Sequence, residues 1–302
     1  MIPYITLKAN AKINLALSVI GKRPDGYHDL KMVMQTLLLC DDIFMKRVGS
    51  KEPRVRITTD MYWLPTGRKN LVHKAVTLMQ KKYNLPGGVY IDITKNIPVA
   101  AGLGGGSADC AAALLGMRRL YSINVSIQEL SAIGKTLGAD VPYMLAQGSV
   151  LASGIGDKIV RLRPHPQTYV LLAKPRFSVA TVDVFKSLAK HKLLSNETKA
   201  NNEVKINAMI RAISRNDIRG IAKNFFNDLE PVTAATHPVI YQIKDTMLQN
   251  GALGSLMSGS GPTVFGYFRT KKHANTAAKA LRKIGVKETY LTGIYNKITN
   301  KS

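Results

Sequence analysis

The sequence predicts an α+β protein of two domains, with the boundary near residue 157. Three observations carry this reading. The chain has 302 residues, enough for one large domain or two ordinary ones with sizeable cores. The alternating stretch "GGVYIDITKNI" is followed by a glycine-rich loop and then an alanine-rich helix. The last third alternates helix, strand, helix, strand, which suggests a sheet with helices on one face.

Taken in order, "ITLKANAKINLALSVIG" reads as one or two strands, with a turn between Gly21 and Gly26. "TLLLCDDIFMKRV" and "RVRITTD" read as further strands. Asn70 is placed to cap a helix over "LVHKAVTLMQKKYN", where Leu71, Ala75, Leu78 and Met79 fall at helical spacing. In "GGVYIDITKNI", Val89, Ile91 and Ile93 alternate with Tyr90, Asp92 and Thr94. A helix is expected from about Ser107 to Tyr121. Ser126 with Glu129 three residues on predicts a capping box for "IQELSAIGKTLG". "YVLLAKP" reads as a short buried strand. Residues 186–206 are polar and basic and read as a mobile surface segment. Helices are expected from Pro238 to Asn250, closed by Gly251, and over "HANTAAKALRKIG", closed by Gly285. "TVFGYF" and "KETYLTGIY" complete the strands.

Composition narrows the function. Hydrophobic residues make up 45% and charged residues 21%, near globular averages. Cys40 and Cys110 are far apart and form no C-x-x-C pair, which argues against a disulfide framework or zinc site and fits a reducing compartment. Lys8 and Lys12 interrupt the N-terminal apolar stretch, and no run reaches the roughly 18 apolar residues of a membrane span. A soluble cytoplasmic protein without membrane contact is expected. The six histidines, including His191, show no paired metal-ligand spacing, so no metal site is assigned. The net charge is +24, with 19 basic and 10 acidic residues up to residue 150 and 24 and 9 beyond it. Such a field attracts nucleotides, diphosphates or nucleic acid. The basic residues are scattered and aromatics are only 7%, without the aromatic-interleaved basic strand of RNA readers. A nucleic-acid partner is therefore disfavoured.

The loop "PVAAGLGGGSADCAAAL" places Gly102, Gly104, Gly105 and Gly106 within five residues. It lacks the lysine of a P-loop, and Ser107 stands where a dinucleotide fingerprint needs its third glycine. Glycines still let backbone N–H groups approach an anion, and the helix that follows aims its positive end at the same place. Ser107 is expected at the helix start, to cap it or to contact a phosphate or its metal. A tight strand-to-helix turn would need only one or two glycines, so phosphate binding is the preferred reading.

These residues resemble the phosphate-binding motif of the GHMP kinases, the superfamily of galactokinase, homoserine kinase and mevalonate kinase. "ANAKINLALSVIGKRPDGYHDL", "GADVPYML" and "LMSGSGPTVFGYF" resemble the 4-diphosphocytidyl-2-C-methyl-D-erythritol kinase family within it, in order and along nearly the whole chain. "NLVHKA" and "NDLEPV" also fit. The resemblance implies a two-domain GHMP kinase fold. Residues 1–157 would form a ribosomal-protein-S5-like domain carrying the ATP loop, and residues 158–302 a ferredoxin-like α/β sandwich. It implies an ATP-dependent kinase, with Mg2+, acting on the 2-hydroxyl of a cytidine diphosphate sugar alcohol in non-mevalonate isoprenoid (terpenoid) biosynthesis. Another small alcohol, or nucleic acid on a retained scaffold, are the alternatives.

Residue by residue, the resemblance implies an ATP site at Pro98, Val99, Ala100, Ala101, Gly102, Leu103, Gly104, Gly105, Gly106, Ser107 and Ala108. It implies catalytic roles for Lys12 in "AKIN" and Asp140 in "GADVP". Asp140 would take or orient the hydroxyl proton. Lys12 would keep Asp140 ionised and stabilise charge on the oxygens in transit. Taken alone, Lys12 reads as an inward lysine snorkelling to an edge, and Asp140 as an ordinary helix N-cap. Asn14, Tyr27 and His28 would contact the cytidine diphosphate substrate, with Thr181 and Phe185 as the other wall. "SGSGPT" reads equally as phosphate-loop support or as a helix-to-strand turn. Any Mg2+ would be held mainly by ATP with help from Ser107. Departures from the family pattern are Ala108 for a second serine, Cys110 in the helix, Asp157 for glutamate, and Arg176 for a small residue.

Overall fold

A computed structural model describes residues 2–49, 54–188 and 195–297. By contact density the chain divides into two compact units, each drawn from discontinuous segments. One comprises Met1–Ala11, Leu39–Val99 and Gly104–Ala146. The other comprises Lys12–Leu38, Ala100–Leu103 and Gln147–Ser302.

In the first unit, β3 (Val55–Thr59) runs parallel to β4 (Gly88–Thr94), which pairs antiparallel with the later part of β2 (His28–Val48) from Asp42 to Val48. The β4 alternation is as expected: Val89, Ile91 and Ile93 are buried, and Tyr90 and Asp92 are half-buried. Helix α1 (Leu71–Lys82) is capped by Asn70, whose side chain accepts from the Val72 N–H. It buries Val72, Ala75, Val76 and Met79 and packs on α2 (Gly105–Leu120). Within α2, Gly116 lies directly against the Met45 side chain, and a Cβ there would also come within 3.2 Å of Leu7. Small residues on this face let the helix pack closely on the sheet. α3 (Ile127–Leu137) carries the expected Ser126–Glu129 capping box, and α4 (Val141–Ala146) follows directly.

The second unit contains the later part of β1 (Tyr4–Lys22) and the start of β2. Here β2 pairs antiparallel with β5 (Ser149–Gly154), and β5 with β6 (Lys158–Arg161). A four-stranded antiparallel sheet runs β11 (Glu288–Gly293), β7 (Tyr169–Lys174), β10 (Val264–Phe268), β9 (Gly254–Met257). Helices α9 (Val239–Gln249) and α10 (Lys271–Lys283) pack against it, and Gly251 and Gly285 take positive φ just beyond their ends. Gly266 of β10 faces Met247 of α9. The opposite side of β10 is not bare: Phe225, after α7 (Ile218–Lys223), sets its ring edge-on to Phe265 and Tyr267. This is why all five residues of β10 are buried, those on the side away from α9 as well.

One expectation fails. Most of residues 186–206 is helical, in α5 (Thr181–Leu188) and α6 (Asn196–Ser214). α6 starts at a Ser195 cap and buries Asn202, Ile206, Met209 and Ile213 on one stripe, so its polar composition describes only its outer face. Residues 189–194 with His191 lie outside the described residues. The remaining elements are β8 (Phe226–Asn227), parallel to β1 at Ala16 and Leu17, and α8 (Glu230–Thr236). Among the described residues no helix is long and apolar enough to cross a membrane, and both cysteines are free.

Candidate active site

The glycine segment is built from alternating left-handed residues: Ala100, Gly102 and Gly104 have φ of 52°, 76° and 73°. Pro98, Val99 and Gly104–Ala108 fall in the first unit, and Ala100, Ala101, Gly102 and Leu103 in the second. Gly104 is the N-cap of α2, without a side-chain cap bond. The first helical hydrogen bond runs from the Ala108 N–H to the Gly104 carbonyl at 2.9 Å. The N–H groups of Gly105, Gly106 and Ser107 thus lack intrahelical partners, and no acidic side chain occupies the first turn. A Cβ on Gly106 would meet only Leu71, at 4.0 Å. Such a helix start has the chemistry to seat an anion. Ser107 does not cap the helix as expected, because the turn at Gly104 starts it two residues sooner. Ser107 instead sits in the first turn beside Gly138 of "GADVP", whose Cβ would lie 3.8 Å from its Oγ. Asp140 immediately precedes α4, its carbonyl accepting from the Met144 N–H at 3.0 Å.

A buried ionic cluster flanks this seat. The Lys95 ammonium pairs with Asp41 and, at 2.7 Å, with Asp109 of α2. Asp41 also accepts from the Asn96 and Ile97 N–H groups, at 2.6 and 2.7 Å. Burial pushes the Asp109 carboxyl up, against the pull of Lys95. Burial also works against the Lys95 charge, but its two carboxylates outweigh it and raise the ammonium pKa.

In the second unit, Lys12 is 5% exposed, so it does not snorkel. Its ammonium donates to Asn14 Oδ1 at 2.7 Å and to the Gly102 carbonyl at 3.0 Å. Lys12 and Asn14 are two apart on β1 and share a face. Ser258 Oγ donates to the same Gly102 carbonyl at 3.0 Å and accepts from the Asn14 N–H at 3.3 Å. Gly102 lies directly against the Ser258 carbonyl, and a Cβ there would be 3.0 Å from the Gly261 carbonyl. The Thr263 N–H donates to Ala101 at 3.4 Å. The "SGSGPT" turn, with Gly259 and Gly261 at positive φ, is therefore bonded to residues 101–102 of the glycine segment.

The residues expected at the substrate are also in this unit. His28 stacks on Phe185, with ring centroids 4.8 Å apart and planes 25° from parallel. Burial, then Lys22, lowers the His28 pKa. Thr181 Oγ1 lies 2.8 Å from Ser260 Oγ. Tyr27 is exposed at the end of a turn held by Arg23, Asp25 and Asp29.

Family models match on both sides of residue 157: "GHMP kinases N terminal domain" over residues 70–148 and "GHMP kinases C terminal" over residues 209–287. A 4-diphosphocytidyl-2-C-methyl-D-erythritol kinase of Lachnospira eligens is 46% identical over 95% of this chain and 97% of its own length. The chain belongs to this kinase family, within the GHMP kinases. A relative of the same name from Caldicellulosiruptor bescii is 44% identical over 95% of this chain and 96% of its own length. The crystal structure of a 4-(cytidine 5'-diphospho)-2C-methyl-D-erythritol kinase superposes with a TM-score of 0.79 at 31% identity, covering 97% of this chain and all of that one. A homoserine kinase from Cytophaga hutchinsonii shares the fold alone, with a TM-score of 0.78 at 21% identity over 98% of this chain and 96% of its own.

This GHMP kinase chain also holds groups that sequence reasoning missed. The Lys95 cluster joins residues 54 and 14 positions apart in sequence, a pairing no local pattern reveals. Asn227 and Glu230 of "NDLEPV", and Thr233 directly after it, bond the "SGSGPT" turn or the strand leading into it.

Proposed function

We propose that the protein transfers the γ-phosphoryl group of ATP to the 2-hydroxyl of 4-diphosphocytidyl-2-C-methyl-D-erythritol, giving the 2-phosphate and ADP, in isoprenoid precursor biosynthesis. The observation that carries this reading is 46% identity over 95% of the chain to a kinase of that name. The anion seat at the start of α2 supports it, since phosphoryl transfer rests on positioning and charge stabilisation.

In this reading the Gly105, Gly106 and Ser107 N–H groups hold phosphate oxygens of ATP. Asp140 accepts the proton as the 2-hydroxyl attacks the γ-phosphorus and the bond to ADP breaks. Lys12 stabilises the negative charge on the oxygens in transit. Asn14, Tyr27, His28, Thr181 and Phe185 hold the cytidine diphosphate end. Mg2+, bound chiefly through the nucleotide phosphates with Ser107 assisting, would neutralise phosphate charge. Among the described residues there is no group of three or more His, Cys, Asp or Glu side chains that could hold a metal. The division of the chain near residue 157 and action in the cytoplasm belong to the same proposal.

The test is ADP release by the purified protein with Mg-ATP, with and without the acceptor. Release that depends on this acceptor is expected. Folded, ATP-binding protein that releases no ADP with it would overturn the acceptor assignment.

A further inference from the structure

The "NDLEPV" motif has no role in the chemistry above, yet its side chains converge on one turn. Asn227 is buried at the end of β8. Its amide nitrogen donates to the Met257 carbonyl at 2.8 Å and to the Gly259 carbonyl at 2.7 Å. Its amide oxygen accepts from the Leu229 N–H at 2.9 Å. Both amide protons are thus spent on the two carbonyls that flank Ser258. Glu230 accepts from the Met257 N–H at 2.8 Å, and Thr233 donates to the Ser260 carbonyl at 3.2 Å. The backbone from Met257 to Ser260 is held from one side by three side chains of a single short segment.

The other side of that backbone faces Lys12. Ser258 Oγ and the Lys12 ammonium donate to the same Gly102 carbonyl. A Cβ on Gly259 would lie 3.4 Å from the Lys12 nitrogen and 3.5 Å from Asn14 Oδ1. A shift of the turn would therefore move the groups that fix the ammonium. We infer that Asn227 is a positioning residue, which sets the backbone around Ser258 and through Ser258 and Gly102 fixes where the Lys12 ammonium points. The inference rests on the proposed role of Lys12 in phosphoryl transfer.

Asn227→Asp is the informative variant. It keeps the oxygen that accepts from Leu229, so the entry to α8 is preserved. It replaces the shared donor with an oxygen facing two carbonyl oxygens, which removes both bonds and repels the turn. A displacement near 1 Å costs on the order of 10²-fold in rate. Asn227→Asp is therefore expected to lower kcat by about that factor and to change both KM values less, because the turn bonds the proposed binding residues only at Asn14, Ala101, Gly102 and Thr181.

The direct readout is the Lys12 side-chain resonance in protein with isotope-labelled lysine, assigned with Lys12→Arg. It is expected to shift in Asn227→Asp and in Ser258→Ala, which removes the hydroxyl link with little change of volume. Asn296→Ala, which unties His165 elsewhere in the unit, is expected to leave both resonance and kcat unchanged. An unshifted Lys12 resonance in folded Asn227→Asp overturns the inference. If that variant does not fold, an unshifted resonance in Ser258→Ala overturns it. Wild-type protein without acceptor-dependent ADP release would instead sink the proposed function, and the resonance would still decide whether Asn227 positions Lys12.

Discussion

The Lys95 ammonium lies 2.7 Å from an Asp109 carboxylate oxygen, with both side chains at least nine-tenths buried. Asp109 is on α2, after the glycine loop, and Lys95 closes β4 before it. One ion pair thus ties the two flanks of the proposed phosphate seat, and Asp41 secures it through the Asn96 and Ile97 N–H groups. Lys95→Met would leave two carboxylates in the cluster without their cation. Breaking a buried pair this way costs about 3–5 kcal/mol. Urea unfolding of Lys95→Met should show a loss of that size. Lys95→Met/Asp109→Asn should recover part of it, because one stranded charge is gone. A double variant no more stable than the single would show that charge burial is not what the cluster resolves.

Gly106→Ala separates stability from ATP binding. Gly106 is the second residue of α2, its φ is not left-handed, and an added methyl meets open space apart from Leu71. Alanine there should stabilise the fold by about 0.5–1 kcal/mol. The methyl would stand in the anion seat, so the KM for ATP should rise, by roughly tenfold or more for about 1.4 kcal/mol of lost contact. Thermal unfolding and initial-rate kinetics on the same preparation check both halves. Unchanged ATP affinity would mean the phosphates sit elsewhere.

Much of the fold was legible because its signals are local. Asn70 and Ser126 cap their helices through bonds spanning two or three residues, and β4 shows its two faces in the order of its side chains. Where tertiary context decides, local reading failed. The stripe of Asn202, Ile206, Met209 and Ile213 in α6 lies inside a polar, basic segment that masks it. β5 forms by pairing with β2 more than 100 residues earlier. The site divides the same way. The glycines at 102–106 announce an anion seat on chemistry alone. The burial of Lys12 does not show in "AKIN", because its partner Gly102 is 90 residues away and Ser258 comes 156 residues after that. Only the family resemblance brought Lys12 forward, and nothing local brought forward Asn227.

Phe185→Ala should weaken acceptor binding and leave ATP alone. The ring stacks on His28 and shares in burying it, and burial is the leading cause of the lowered His28 pKa. Such a ring pair contributes about 0.5–1.5 kcal/mol, so acceptor KM should rise up to roughly tenfold with kcat little changed. The His28 pKa, followed by NMR, should move back up toward its ordinary value. If acceptor KM stays put while the pKa rises, the His28–Phe185 pair is not part of the cytidine site.

Asp140→Asn tests the proton acceptor at constant shape. The amide cannot take a proton from the attacking hydroxyl, and general-base catalysis contributes typically 10²–10⁴-fold, so kcat should fall by about that range. The α4 start depends on the Asp140 carbonyl, which the substitution keeps, so the fold should survive. Nucleotide binding measured by calorimetry should match wild type. Undiminished turnover in the variant would remove Asp140 from the proposed role.

His165 gives the protein a pH-dependent stability separate from the chemistry. It is almost wholly buried, and that burial lowers its pKa to about 4. Its Nδ1 donates to the Pro166 carbonyl at 2.6 Å, which leaves Nε2 to accept from the Tyr267 hydroxyl at 3.2 Å. The folded state therefore selects the neutral ring. In the unfolded chain the ring titrates near its ordinary value of about 6.5. Above that value the contribution is fully present. As pH falls from about 6.5 to 4 the unfolded chain takes up a proton that the folded chain refuses, and about 3 kcal/mol is lost. Asp109 and Asp228 work in the opposite direction, because burial raises both carboxyls and the folded state then takes up their protons first. The measurement is accordingly a difference: urea unfolding at pH 7 and pH 4 for wild type and for His165→Phe. The variant loses two hydrogen bonds and should be the less stable at pH 7. Its stability should fall less between the two pH values, by about 3 kcal/mol. Equal pH slopes in the two proteins would show that the buried ring accepts its proton without penalty.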